Sequence, residues 1–298
     1  ECLCITNNDV EWTYFEDADY PHYLKHCIDS PILLFKKGKI ALEGRKLISV
    51  VGTRKITSYG TAFCERFIAD IAPLNPIIVS GFAYGVDICI QREAIKQGLQ
   101  TIGCLAHGLN QIYPKTHAKY QADVCANGGF YTEFWSTSSP ERENFLKRNR
   151  IIAGMSEATL VVESAEKGGS LVTADIANSY NRDVFAVPGR TSDKYSLGCN
   201  NLIKHQKAHM LTSAADMIYI LDWDLEEKKT TSVQKQLFVD LDETEQSIYT
   251  YLQQNGKQLL DSIALSCNIP IFKTSSTLLA MEMKGVIRPL PGKLFEAI

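Results

Sequence analysis

The chain has 298 residues, 45% of them hydrophobic and 22% charged, with a formal net charge of −3. It is too long for one small core and fits two domains, or one large domain with an appendage. The slight acidity excludes a generally basic surface, so any site for a polyanion has to be local.

No apolar run approaches the ~20 residues of a membrane-spanning helix, and no secretory signal is visible. The chain opens on Glu1 rather than Met, which fits a piece trimmed from a longer protein. Nine cysteines are scattered without a C-x-x-C pair, several inside apolar stretches such as "TIGCLA" and "VDICIQ". That usage fits a reduced, cytoplasmic protein with buried thiols. His205 and His209 are four apart, a spacing that puts two ligands on one helix face. No carboxylate or cysteine stands at ligand spacing beside them, so neither a metal centre nor a cofactor is expected.

In chain order, residues 1–43 combine turn chemistry ("DADYPHYL") with a short strand in "DSPILLFKKG". They are expected to pack as an extension on the domain at 44–221. That domain opens with the buried-strand signal "KLISVVGTR" and the helical spacing of "SYGTAFCERFIADIAPL". Next come the strand "NPIIVSG", the helix "VDICIQREAIKQG", the strand "QTIGCLA", a turn at "YPKTH", the helix "AKYQADVCANG" and the strand "GFYTEF". "FLKRNRIIAGM" opens a further helix, followed by the strand "ATLVVES", the helix "SLVTADIANSYN" and the strand "DVFAVPG". Alternation of uninterrupted apolar strands with helices predicts an α/β fold with a mainly parallel, Rossmann-like sheet covered on both faces. Residues 222–235 break this pattern with charge and are expected to be a linker. Residues 236–298 read as three helices and a hairpin, the winged-helix pattern.

Four strand ends carry turns able to meet an anion: Gly52, Thr53 and Arg54; Ser80, Gly81, Gly85 and Asp87; Lys147, Arg148, Asn149 and Arg150; and Lys167, Gly168, Gly169, Ser170 and Thr173. Glycines admit close backbone approach, helix N-termini offer N–H groups, and guanidinium forks match phosphate oxygens. Any one of these turns is ordinary turn geometry or a solvated face. In a parallel sheet, however, all four gather on one edge, where ligands bind. Neither G-x-G-x-x-G after the first strand nor G-x-x-x-x-G-K-[ST] is present, so a conventional dinucleotide site or P-loop is not expected.

"SVVGTRKITSYG", "IVSGFAYGVDICIQREAIKQGLQTIGCLAHGLNQIYP", "FLKRNRIIAGMSEATLVVESAEKGGSLVTADIA" and "VFAVPG…LGCNNLIK" resemble the DprA/Smf family, the DNA-processing proteins of natural transformation. The resemblance covers roughly residues 20–220, and the final domain is similar to the winged helix of many members. It implies an extended Rossmann fold, a homodimer, single-stranded DNA held in a basic pocket and handed to the RecA recombinase, and no catalytic turnover. Gln91 departs from the family pattern, where a histidine is usual, and "KGGS" replaces the usual S-G-S.

Arg148 and Arg150, two apart on a helix, must diverge, so one is expected at the strand-end crevice and the other in a structural ion pair. Tyr113, Phe145 and Phe134 are candidate stacking platforms that also suit a core, and Lys115 and Lys119 would extend the track. The competing reading is a nucleotide-binding or nucleoside-monophosphate-hydrolysing enzyme of the lysine-decarboxylase-like group. Its P-G-G-x-G-T-x-x-E loop is reduced here to "EKGGSLVTADIA", with Asp175 the sole carboxylate after the glycines. The third helix of the winged helix carries only Lys273 and Lys284, too few for a basic reading helix. Apolar "HMLTSAADMIYIL" is the candidate dimer surface.

Overall fold

The computed structural model describes residues 10–223, 241–290 and 292–297. The chain divides into two compact units, Glu1–Leu225 and Glu226–Ile298. The first unit begins with β1 (Glu11–Tyr14), α1 (His22–Lys25), β2 (Leu33–Gly38), β3 (Leu47–Val51) and α2 (Ser58–Ile71). It continues with β4 (Ile77–Ser80), α3 (Val86–Lys96), β5 (Thr101–Cys104), α4 (Gln121–Ala126), β6 (Gly128–Thr132) and α5 (Arg142–Met155). It closes with β7 (Ala158–Val161), α6 (Gly169–Ser179), β8 (Asp183–Ala186), α7 (Leu197–Lys204), β9 (His209–Met210) and α8 (Ala214–Ile220).

Among the described residues these strands form one sheet in the order β1-β2-β6-β5-β4-β3-β7-β8-β9. From β6 to β9 all neighbours are parallel, while β1 and β2 run antiparallel at one edge. The central strands are buried throughout, as their unbroken apolar sequences require. Successive side chains go to opposite faces. Leu47, Val51, Ile77 and Ile102 pack with Ile151 and Met155 of α5 and Ala174 of α6. Ile48, Val50, Ile78 and Leu160 pack with Phe63 and Phe67 of α2 and Ile90 of α3. Each fully buried side chain of this size contributes about 1.5–3 kcal/mol.

Three local expectations are corrected. Residues 118–128 do not make one helix: a 3-10 stretch, Lys115–Tyr120, precedes the short α4. β1 pairs with β2, so the N-terminal segment brings two strands to the sheet rather than one. His205 caps the end of α7 while His209 lies in β9 beside Asp183. Between them Gln206 adopts φ 57°, which turns the chain out of the helix and separates the two imidazoles.

Among the described residues no group of His, Cys, Asp or Glu is placed to hold a metal ion, and no helix is long and apolar enough to cross a membrane. Most of the expected linker, from residue 224 onward, lies outside the described residues.

The second unit contains α9 (Glu243–Asn255), β10 (Gln258–Leu259), α10 (Leu260–Ser266), α11 (Ile271–Met283), β11 (Ile287–Leu290) and β12 (Leu294–Ala297). Asp242 and Glu245 close a capping box at the start of α9, each side chain accepting from the other's backbone N–H. Ile248, Leu252, Ile263, Leu278, Met281 and Ile287 form its core, and β12 lies between β10 and β11. This is a winged helix.

Candidate nucleic-acid interface

β3 has β4 on one side and β7 on the other, so the connections leaving β3 and β7 part in opposite directions. A crevice opens at such a switch point, beyond the carboxyl ends of the strands. Here it is a cleft of about 760 Å³. Its walls are tied together by the backbone. Thr53 N donates to Glu163 O at 2.7 Å, and Val86 N donates to Thr53 O at 3.1 Å. Gly85 starts α3 at φ 78°, and a Cβ there would fall 2.1 Å from Thr53 O. Only glycine fits that corner.

Arg148 is a wall of the cleft yet only 4% exposed. Its Nη1 donates at 2.6 Å to both Gly81 O and Cys104 O, clasping the ends of β4 and β5. Nearby, buried Asp87 accepts from Gly81 N at 3.1 Å. Burial raises the Asp87 carboxyl pKa, and the Arg148 cation opposes that rise. Burial likewise lowers the Arg148 pKa, with Asp87 opposing. Gly81 makes the arrangement possible, because a Cβ there would sit 2.3 Å from Arg148 Nη1.

Above this floor the Phe145 ring lies 5.4 Å from the Arg54 guanidinium, 5.8 Å from that of Arg148 and 5.6 Å from the Tyr113 ring. Arg54 is exposed. Across the cleft, α6 begins at Gly168 without a side-chain cap, leaving its first N–H groups to solvent or a ligand. Lys167, Gly169, Ser170 and Thr173 line the same wall. Four cations (Arg54, Arg142, Arg148 and Lys167), two rings and a helix N-terminus thus face one volume, an arrangement suited to a phosphate-bearing ligand.

The sequence model of the DNA recombination-mediator protein A family matches residues 11–222, and that of the DprA winged helix domain matches 235–293. The chain belongs to the DNA recombination-mediator protein A family. One relative, the DNA processing protein DprA of Bacillus subtilis (strain 168), is 39% identical over 200 residues, 66% of this chain and 67% of that protein. Protein Smf of Escherichia coli (strain K12) is 32% identical over 276 residues, 92% of this chain and 74% of its own. The X-ray structure of DNA processing protein A from Streptococcus pneumoniae aligns with a TM-score of 0.69 at 32% identity, covering 74% of this chain and 77% of that one. The Helicobacter pylori protein aligns at 0.64 and 26% identity, over 71% and 95% of the two chains.

Within this family frame the expected residues divide into two sets. Gly52, Thr53, Arg54, Arg148, Asn149, Lys167, Gly168, Gly169, Ser170 and Thr173 all line the cleft. The others do not, each for a local reason. The Ser80 hydroxyl donates to Val50 O at 2.6 Å, and Gly81 lies beneath Arg148. Gly85 forms the corner against Thr53, and Lys147 is on the exposed side of α5. Lys115 begins the 3-10 stretch beyond the cleft. Arg150 bonds Glu133 and the Asp29 carbonyl, so it fills the structural role and Arg148 reaches the cleft. Ser170 has its hydroxyl committed to Ser164 Oγ at 2.9 Å, which leaves its backbone to face a ligand.

Asp175 pairs with Lys207 and is absent from the lining, whereas the carboxylate that does line the cleft is Asp87. Gln91 is fully buried and donates to Thr101 Oγ1 at 3.2 Å, so it serves the core rather than the cleft. Arg142 was not singled out by sequence, yet it lines the cleft with Phe145, Asn149 and Ile152. Those positions follow helical spacing along one face, a signal the sequence carried.

Proposed function

We propose that this protein captures single-stranded DNA in the strand-end cleft and, as a homodimer, passes it to a RecA-type recombinase during DNA uptake and recombination. The observation that carries the reading is the convergence of Arg54, Arg148, Phe145 and the α6 N-terminus on one cleft at the sheet's switch point. The family assignment supports it, as does the structure of the Helicobacter pylori relative, which was described for its single-stranded DNA binding mode. Arg54 meets a phosphate, the first N–H groups of α6 meet the next, and Phe145 or Tyr113 receives a base.

In this reading residues 44–221 are the DNA-binding domain, with Trp223 packed into its core, 1–43 its extension, the rest of 222–235 a linker and 236–298 an accessory domain. The dimer surface is the exposed part of 209–221, where Met210, Tyr219 and Ile220 face solvent while Leu211 and Met217 are buried. No turnover is part of the function, and a nucleoside-monophosphate hydrolysis assay checks that directly. The deciding experiment compares affinity for single-stranded and duplex oligonucleotides of equal length across a salt series. Tighter single-strand binding is expected, and equal or tighter duplex binding would move the activity away from the cleft.

A further inference from the structure

We propose that the strand held in the cleft leaves it over a cationic and aromatic ridge, Tyr84, Arg92, Lys115, Lys119 and Tyr120, which lengthens the bound segment beyond the cleft. The inference rests on the cleft being a single-strand site.

Two loops are common to both surfaces. The loop after β4 gives Ala83 to the cleft wall and its next residue, Tyr84, to the ridge. The segment after β5 gives Tyr113 to the cleft, and Lys115 follows two residues later. Tyr84 Oη and Thr116 Oγ1 are 2.9 Å apart, which fixes the loops to each other. From there the rings run on without a gap. Tyr84 is 4.9 Å from His117, and His117 is 6.0 Å from Tyr120. His117 is buried and bonded to Phe82 O at 3.0 Å, so the row has a rigid base.

Arg92 and Lys119 lie 5.3 and 5.0 Å from the Tyr120 ring. Among the described residues Arg92, Lys115 and Lys119 form no ion pair, whereas Lys36, Lys96 and Lys207 do. Tyr84 and Tyr113, at 43% and 40% exposure, present ring surface to solvent. Unpaired cations interleaved with exposed rings are what a sequence-independent single-strand path needs: charge for the phosphates and flat surface for the bases. The opposite rim is less suitable. A cavity of about 860 Å³ there holds Arg190 and Lys194, but Glu163 and Asp193 in its walls offset them.

The test uses the full chain, fluorescently labelled oligothymidylates of about 6 and about 20 nucleotides, lengths that span the usual range of single-strand site sizes, and anisotropy across a salt series. The wild-type protein is expected to bind the long oligomer more tightly. Arg92→Gln with Lys119→Gln should weaken the long oligomer about tenfold and lower its log–log salt slope by about 1.4, two released counterions. Binding of the short oligomer should stay within about twofold. Tyr84→Ala should weaken only the long oligomer, with its salt slope intact. Arg190→Gln with Lys194→Gln removes the same charge from the other rim and should leave both lengths unchanged. Melting curves establish that each variant is folded.

Unchanged long-oligomer binding in the Arg92/Lys119 variant would overturn the ridge. So would equal losses at both lengths, or a matching loss from the other rim, since each would mean a general field rather than a path. A wild-type protein that binds neither length would overturn the cleft reading itself, and the ridge with it.

Discussion

The strand-end cleft and the third helix of the winged helix are the two places where this fold class would meet nucleic acid, and they are built from opposite materials. The cleft gathers Arg54, Arg142, Arg148 and Lys167 around an uncapped helix N-terminus. α11 instead presents Phe272, Leu279 and Met283 to solvent, at 80%, 60% and 85% exposure. A helix placed to read a major groove normally carries base-contacting and phosphate-contacting polar groups, and this one carries an apolar stripe. Shape alone would have nominated the winged helix. The distribution of charge nominates the cleft, and in a chain of net charge −3 that local contrast is the informative quantity.

The sharpest way to break the comparison is to remove the cleft floor. Arg148→Ala strands two carbonyl acceptors and leaves buried Asp87 without its neighbouring cation. A loss of roughly 3–5 kcal/mol is expected, the range for breaking a buried charge arrangement. Thermal unfolding should fall by roughly 6–20 °C at the usual sensitivity of a domain this size. An unchanged melting temperature would mean that Arg148 serves only the ligand.

Arg54→Ala should do the reverse. Arg54 is exposed, and its contact is the Phe145 ring. Losing a charge-assisted phosphate contact of about 1.5–3 kcal/mol should weaken single-strand binding about 10- to 100-fold. The salt slope should drop by about 0.7 while the melting temperature barely moves. A stable variant with unchanged affinity and slope would remove the cleft model's most specific residue.

Acid separates the two units more gently. All six histidines lie before residue 210, and all three tryptophans lie before residue 224. Burial pushes His107 and His117 below their ordinary value of 6.5. The folded state therefore resists a proton that the unfolded chain accepts. The stability this gives is present above about pH 6.5 and is lost as pH falls toward the lowered values. Tryptophan-detected melting should drop between pH 7 and pH 5.5, and His107→Gln with His117→Gln should flatten that dependence. A slope unchanged in the double variant would assign the acid sensitivity to other groups.

The smallest effects belong to the winged helix. Phe272→Ser with Leu279→Ser should change stability by no more than about 0.5 kcal/mol per site, because neither side chain is in its core. A chain ending at residue 225 keeps the buried Trp223 and should fold with single-strand affinity within about threefold, since every cleft residue precedes that point. Loss of binding in that folded truncation would reverse the assignment of the two regions.

Much of this was legible in the sequence because it is local. Unbroken apolar runs such as Leu47–Val51 and Ile77–Ser80 announce buried parallel strands, and their Gly-rich exits announce the cleft. The three helices of the second unit follow from periodicity and caps, with Asp242 and Glu245 the clearest example. What escaped depends on distant partners. β9 is two residues long and exists through Phe185 and Ala186. Whether Arg148 or Arg150 enters the cleft is decided by Gly81 and Cys104 on one side and Glu133 on the other, none of them near in sequence. Residues 115–126 have helical composition, but the chain makes a 3-10 turn first, with Tyr84 and Phe82 bonded to it through Thr116 and His117.

The clasp on Arg148 has one more consequence, for what an arriving anion must spend. A long side chain ordered at encounter costs about 0.5–1.5 kcal/mol. Arg148 is held by two carbonyls and lies against Phe145 in the fold itself, so an anion entering the cleft would meet it already arrested. Arg54, exposed at the rim, still has its rotamers to choose from. Under the proposed function, a fixed charge at depth and a searching one at the mouth would hold one anion at a set position and follow the next wherever the backbone carries it.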